Sequence, residues 1–122
     1  MELRCPVSVG EVLDKISILR IKAARIKDGA KLPHVRHELE RLTSVLEEPD
    51  KYEAFIAQLT EHNMVIWDVE DALRLKEANG QFDAEFIALA RKAYRTNDKR
   101  FAVKDAANRQ FHSAIREQKS YE

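Results

Sequence analysis

Apolar side chains recur every three or four residues along most of the chain, which is the period of an amphipathic helix. The first such segment begins after Ser8, which forms a capping box with Glu11, and it ends at Asp28-Gly29. One broad face of this segment carries the apolar residues Val9, Val12, Leu13, Ile16, Leu19, Ala23 and Ile26. This face is typical of a helix that packs against a core.

The same period, interrupted by capping and breaking residues, predicts four more helices. Their predicted starts are at Pro33, Asp50, Asp83 and Asn97, and their predicted ends lie near Glu47, Ala78, Tyr94 and Glu117. The stretch RTND supplies Thr96 or Asn97 as the N-cap that separates the last two helices. Five helices joined by short connections indicate an all-α fold, in which residues 1–122 form a single antiparallel bundle.

Helix 1 has a second row of side chains opposite its core face, and this row mixes isoleucines with charges. Its members are Glu11, Asp14, Ile18, Ile21 and Arg25, with Lys15 and Lys22 along one edge. In one interpretation, Glu11 and Lys15 pair on the surface while the isoleucines contact another helix of the bundle. In the other, the row is a binding surface, and the candidate subunit interface is Glu11, Ile18, Ile21, Lys22 and Arg25.

Polar residues also interrupt the apolar faces of helices 3 and 5. A buried charge needs a partner, so we expect Glu70 or Glu77 of helix 3 to meet Lys104 of helix 5. Such pairs can serve only to fix the register of the helices. Alternatively, they line a ligand cavity between helices 1, 3 and 5, walled by Trp67 and Tyr94. The candidate ligand-binding residues are Asp14, Lys15, Asn63, Trp67, Glu70, Arg74, Arg100, Lys104 and Asn108.

A second candidate site lies at the predicted start of helix 5, in the stretch YRTNDKR. Free backbone amides at a helix start attract anions, and basic side chains surround them here. The candidate anion-binding residues are Arg95, Thr96, Asn97 and Lys99. Asp98 weakens this prediction because its carboxylate can itself occupy the positive end of the helix dipole.

The chain has no net charge, with 21 basic and 21 acidic residues among 122, but the signs are segregated. Residues 15–41 and 91–109 are mainly basic, and residues 47–85 are mainly acidic. We expect these helices to complement one another inside the fold. A neutral total argues against nucleic acid as a partner, and no apolar run approaches the roughly 20 residues of a membrane span. Because there is also no secretory signal segment, we expect a cytoplasmic protein.

The sequence offers no recognisable catalytic motif, and the catalytic residues are therefore unknown. His34 and His37 could provide two metal ligands, but no further ligands stand at helical spacing, so we expect no metal and no cofactor. The few glycines form no phosphate-binding loop, and there is no Ser-His or Cys-His pair. The single cysteine, Cys5, cannot form an intrachain disulfide.

Several stretches together resemble a bacterial family of small helical proteins that is classed only as a domain of unknown function. They are VSVGEVLDKISILRIKAARI, WDVED with Arg74 and Glu77, FIALARKAYRTNDKR with Lys104 and Asn108, and the final REQKSYE. The chain departs from the family pattern at Arg20, where a Glu is expected, and at Arg116-Glu117, where an acidic pair is expected. The resemblance implies a bacterial source and a helical domain, and it implies no activity.

Two functional hypotheses follow from these patterns. The first is a non-catalytic module that binds itself, as a homo-oligomer, or another protein. The alternative is a binding site or an enzyme for a small anionic metabolite, held in the charged cavity between helices 1, 3 and 5. Nothing in the chain combines a nucleophile or a general base with an orienting partner, so the sequence favours the interaction module.

Overall fold

The computed structural model describes residues 1–121, and within them the fold consists of helices without strands. The four α-helices are α1 (Val9–Arg25), α2 (Leu32–Thr43), α3 (Glu53–Ala78) and α4 (Ala84–Gln110). A short 3₁₀ turn at Pro49–Tyr52 leads into α3. The all-α class predicted from the hydrophobic period is confirmed.

The number of helices differs from the prediction, because the expected helices 4 and 5 are one continuous helix. The stretch RTND does not interrupt α4, since Thr96 is buried and Asn97 is half-buried within it. No glycine or proline stands between residues 84 and 110, so an N-cap preference alone had to break the helix. Tertiary packing outweighs that preference. The helix then ends at Gln110, before the expected end at Glu117.

The capping signals located the starts at Ser8 and Asp83, but α3 begins at Glu53 without a side-chain cap, three residues after the predicted start at Asp50. Ser8 Oγ accepts a hydrogen bond from the Glu11 amide at 3.1 Å, and Asp83 Oδ1 accepts one from the Phe86 amide at 2.9 Å. Both N-caps were predicted. Helix α1 ends at Arg25, because Ile26 already has an extended backbone (φ −74°, ψ 127°). Helix α2 similarly ends four residues before the expected Glu47.

The core forms where α1 packs against α3 and α4. Its buried residues are Val12, Leu13, Ile16, Ile56, Leu59, Val103 and Ala107. Leu39, Leu42 and Leu46 cover this cluster from the side of α2 and the segment that follows it. Phe111, just after α4, packs against Tyr52 and Phe55, with ring centroids 4.5 Å and 5.7 Å away. The hydrophobic face predicted for helix 1 is therefore the centre of the fold.

Residues 70–95 form a helical hairpin, here called the arm, that contributes nothing to this core. It consists of the C-terminal part of α3 and the N-terminal part of α4, and none of its side chains is fully buried. At its tip Gly80 adopts φ +64°, a conformation that glycine accepts without strain. Lys76 Nζ closes the tip by contacting Asp83 at 2.9 Å and Glu85 at 2.8 Å. The hydrogen bonds with Glu85 and Asp83 raise the pKa of Lys76.

Candidate functional site

A buried polar cluster joins α1, α3 and α4 beside the apolar core. Asn63 of α3 is its hub, because Asn63 Nδ2 donates to Asp14 Oδ1 and to Ser17 Oγ, each at 2.8 Å. The Asn63 side-chain oxygen accepts a hydrogen bond from Arg100 at 3.1 Å. The guanidinium of Arg100 also lies 4.0 Å from Asp14 Oδ2. The buried carboxylate of Asp14 is thus matched by one amide and one cation.

The Lys104 ammonium lies between two carboxylates from opposite ends of the chain. Its Nζ is 2.8 Å from Glu11 Oε2 and 2.8 Å from Glu117 Oε1. Burial by itself would lower the pKa of Lys104, but the hydrogen bonds with Glu11 and Glu117 outweigh it, and the pKa is raised. The contact with Lys104 in turn lowers the pKa of Glu117. Lys104 therefore stays protonated, and the two carboxylates neutralise its charge.

The first amides of α1 are satisfied by side chains from the end of α4 and the segment after it. The Gly10 amide donates to Asn108 Oδ1 at 2.6 Å, and the Val9 amide donates to Ser113 Oγ at 3.1 Å. The start of α1 is consequently occupied by neutral acceptors from the same chain. Asn108, expected as a ligand-binding residue, acts here as a cap between helices.

The structure brings together part of the predicted ligand site and separates the rest. Asp14, Asn63, Arg100, Lys104 and Asn108 lie along the junction of α1, α3 and α4. The expected pairing of Lys104 with Glu70 or Glu77 is wrong, because its partners are Glu11 and Glu117.

Five predicted side chains, including Arg74, lie away from this junction. Glu70 pairs with the exposed Arg74 one turn later, at 3.5 Å. Trp67 is half-buried beneath Arg25, whose guanidinium carbon lies 5.8 Å from the ring centre. Lys15 is on the surface, 4.0 Å from Glu38 of α2. Tyr94, the expected second wall, is exposed on the arm.

Most side chains on the mixed face of helix 1 are buried or paired within the same chain. Ile21 is only 5% exposed and Ile18 is half-buried. Arg25 forms an ion pair with Asp68 of α3 at 2.7 Å, and Glu11 is held by Lys104. Lys22 is half-buried in the last turn of α1. The burial of Ile21 fits the interpretation in which the isoleucines pack inside the bundle, but the Glu11–Lys15 pair of that interpretation is wrong, because Glu11 contacts Lys104 and Lys15 contacts Glu38.

A second site lies between α3 and α4, and we call it the basic groove. It has a volume of about 420 Å³ and is lined by His62, Val65, Ala88, Lys92, Arg95, Thr96 and Lys99. Three of the four predicted anion-binding residues lie in it, and Asn97 does not. The helix start predicted at these residues was wrong, because α4 is continuous here and offers no free backbone amides. What the groove offers instead is side-chain charge.

Sequence reasoning missed several residues of these sites. Ser17 stands three residues after Asp14, a spacing that indicates a shared helix face, but the row drawn on helix 1 passed over it. Glu117 was expected inside a helix, where the spacing gave no reason to bring it to Lys104. His62 and Lys92 enter the basic groove only because α3 and α4 run side by side. The signal that could have found them is the pairing of the two helices.

Two general properties of the chain also bear on function. Within residues 1–121, no helix combines the length and the apolar character required to cross a bilayer. The sequence model of a protein family, DUF6165, matches residues 3–122, and this family is described as one of unknown function. No curated protein and no solved structure matches the chain. The matched range covers nearly the whole sequence, and the chain therefore belongs to DUF6165, a family of unknown function.

Proposed function

We propose that this protein is a non-catalytic self-association module, and that the arm binds a second copy of the chain. The observation that carries the proposal is the exposure of the arm. Leu75, Phe82, Ile87 and Tyr94 are 66%, 60%, 57% and 57% exposed. Most of the stability of a helix in a protein comes from packing its apolar face. The arm has half-buried apolar side chains but no fully buried one, so much of its apolar surface stays uncovered within its own chain.

Two exposed rows on the arm and the adjoining turn of α3 have complementary chemistry. The acidic row on α3 consists of Met64, Asp68, Asp71 and Leu75, and the basic row on α4 consists of Ile87, Arg91 and Tyr94. Each row places charge between exposed apolar side chains at helical spacing. When the acidic row of one copy lies against the basic row of another, apolar ends and opposite charges meet.

The charges at the centres of the rows are available for such pairing. Within residues 1–121, neither Asp71 nor Arg91 takes part in an ion pair, and both are exposed. Asp68, in contrast, is already held by Arg25 at 2.7 Å. Complementary charges across an interface set its register and its choice of partner. This availability supports a second copy of the chain as the occupant of the arm.

The proposal moves the association surface from helix 1, where the sequence suggested it, to α3 and α4. The reason is that Ile21 is buried within one chain, and Glu11 and Arg25 already have partners there. The alternative function, an anionic ligand between the helices, gains little support at Lys104, whose ammonium contacts two carboxylates. The remaining support for an anionic ligand lies in the basic groove.

The solution mass tests the proposal. Sedimentation equilibrium over a range of concentrations should give a mass above the 14.1 kDa of one chain. Ile87→Ser should reduce the mass toward that of one chain. Val45→Ser is the matched control, because Val45 is 60% exposed but lies outside the arm. A wild-type chain that stays at the mass of one chain at all concentrations would overturn the proposal.

Charge reversal tests the pairing of the two rows. Arg91→Glu and Asp71→Lys should each weaken association, since each places like charges against one another. A mixture of the two single variants should associate again, because the glutamate introduced in one copy then faces the lysine introduced in the other. Equal weakening in the mixture and in the separate variants would show that these rows do not meet.

A further inference from the structure

We infer that the basic groove binds a small polyanion that carries phosphoryl groups. This site is offset from the basic row, because at 100° per residue Lys92, Arg95 and Lys99 lie on average about 100° around α4 from Ile87, Arg91 and Tyr94. The inference therefore does not rest on the proposed self-association.

The basic groove carries positive charge that no acidic lining residue compensates. Lys92, Arg95 and Lys99 lie on one face of α4, three, four and seven residues apart, and no acidic residue lines the groove. Within residues 1–121, none of the three forms an ion pair. Like charges at this spacing repel one another and destabilise a helix. A bound anion of two or three charges would neutralise them and convert the repulsion into attraction.

Hydrogen-bond donors line the groove on both of its helices. Thr96 is 7% exposed as a residue and lines the groove, and its hydroxyl is not a buried polar atom that lacks a partner. A hydroxyl that lines a groove is suited to donate to an oxygen bound there. His62, half-buried on the opposite helix, adds a ring N–H donor. Donors thus come from both walls.

The size of the groove and the shapes of its side chains suit a small ligand. About 420 Å³ is within the range of small-ligand sites, which extends from roughly 300 to 1,000 Å³. Arg95 offers a planar fork that matches two phosphoryl oxygens, and the two lysines provide compact charges on either side. Val65 and Ala88 leave room for a short apolar portion of the ligand. These features favour a phosphorylated metabolite or a pyrophosphate-like group.

Calorimetric titration of the full chain with inorganic pyrophosphate tests the inference, with citrate as a polyanion without phosphorus. One pyrophosphate should bind per chain, and more tightly than citrate. Arg95→Gln and Lys99→Gln should each weaken binding about tenfold or more, as expected for a lost charge-assisted hydrogen bond. The matched control is Arg36→Gln, which removes an exposed charge from α2 and should leave binding unchanged.

Thr96→Val removes the hydroxyl and keeps the shape of the side chain, and it should also weaken pyrophosphate binding. Because Thr96 is buried, circular dichroism must show that this variant keeps its helices, and Lys92→Gln provides an exposed second variant. Titrations repeated in the Ile87→Ser background separate ligand binding from self-association. Equal affinity for citrate, an equal loss in Arg36→Gln, or no binding in that background would overturn the inference.

Discussion

Where α1 crosses α4, Gly10 lies against Lys104, and there is no room for a side chain at position 10. A Cβ atom on Gly10 would lie 2.6 Å from the Lys104 backbone oxygen and 3.0 Å from its Cα. This close approach lets the Gly10 amide reach Asn108 and lets Lys104 reach Glu11, the residue after Gly10. A single missing side chain thus positions the polar contacts between α1 and α4.

Gly10→Ala should therefore destabilise the protein, because the added methyl group meets backbone atoms that cannot turn aside. We expect a loss of about 1–3 kcal/mol in the free energy of unfolding, measured in urea. Gly29→Ala is the matched control, since nothing lies within 4 Å of a Cβ at that position. Equal stability of the Gly10 variant and the wild type would show that the helices do not cross this closely.

Asn63→Ala should be more damaging than an ordinary polar substitution. It removes the donor from the buried Asp14 carboxylate and from Ser17, and it removes the acceptor from Arg100. We expect a loss of about 2–4 kcal/mol in the free energy of unfolding. Gln58→Ala, on an exposed position of the same helix, should change it by less than about 0.5 kcal/mol. Similar losses in both variants would contradict the assignment of Asn63 as a hub.

The contact between Glu117 and Lys104 should make stability depend on acid pH. The hydrogen bond from Lys104 lowers the pKa of Glu117 below its ordinary value of 4.5. A depressed folded-state pKa stabilises the protein above the unfolded pKa, and that contribution is lost as the pH falls through the folded value. The melting temperature of the wild type should thus exceed that of Glu117→Gln at pH 7, and the difference should begin to shrink as the pH falls toward 4.5 and vanish only below the depressed folded-state pKa of Glu117.

The matched control for this pH dependence is Glu61→Gln, because Glu61 is exposed on α3 and forms no ion pair within residues 1–121. Its difference from the wild type should stay small across the same range. A Glu117→Gln difference that is constant with pH would indicate that the Glu117 carboxylate does not contact Lys104 in solution.

The sequence predicted features within one helical turn well. It predicted less well where a helix is interrupted and which helices pack together. Ser8 and Asp83 were identified as N-caps because a cap depends on residues within one turn. The false break at Thr96 arose from the same local reasoning, since a helix cap and a buried polar position in a continuous helix look alike in sequence. Burial of Thr96 depends on α4 lying beside other helices, which no local pattern specifies.

The candidate sites show the same division. That Lys104 needs an acidic partner was predictable from its place on an apolar face, but the partners were not. Glu70 and Glu77 lie on the arm, beyond the region where α1 packs, and Glu11 and Glu117 reach Lys104 instead. The offset between helices sets these pairings. The arm itself became visible only when the structure showed that α1 leaves residues 70–95 uncovered.

The most direct test of the central claim is amide hydrogen exchange measured at a high and at a low protein concentration. If the arm binds a second copy of the chain, amides of residues 70–95 should exchange more slowly at the high concentration, while those of α1 stay the same. Exchange in the arm that does not change with concentration, or added protection confined to α1, would contradict the account.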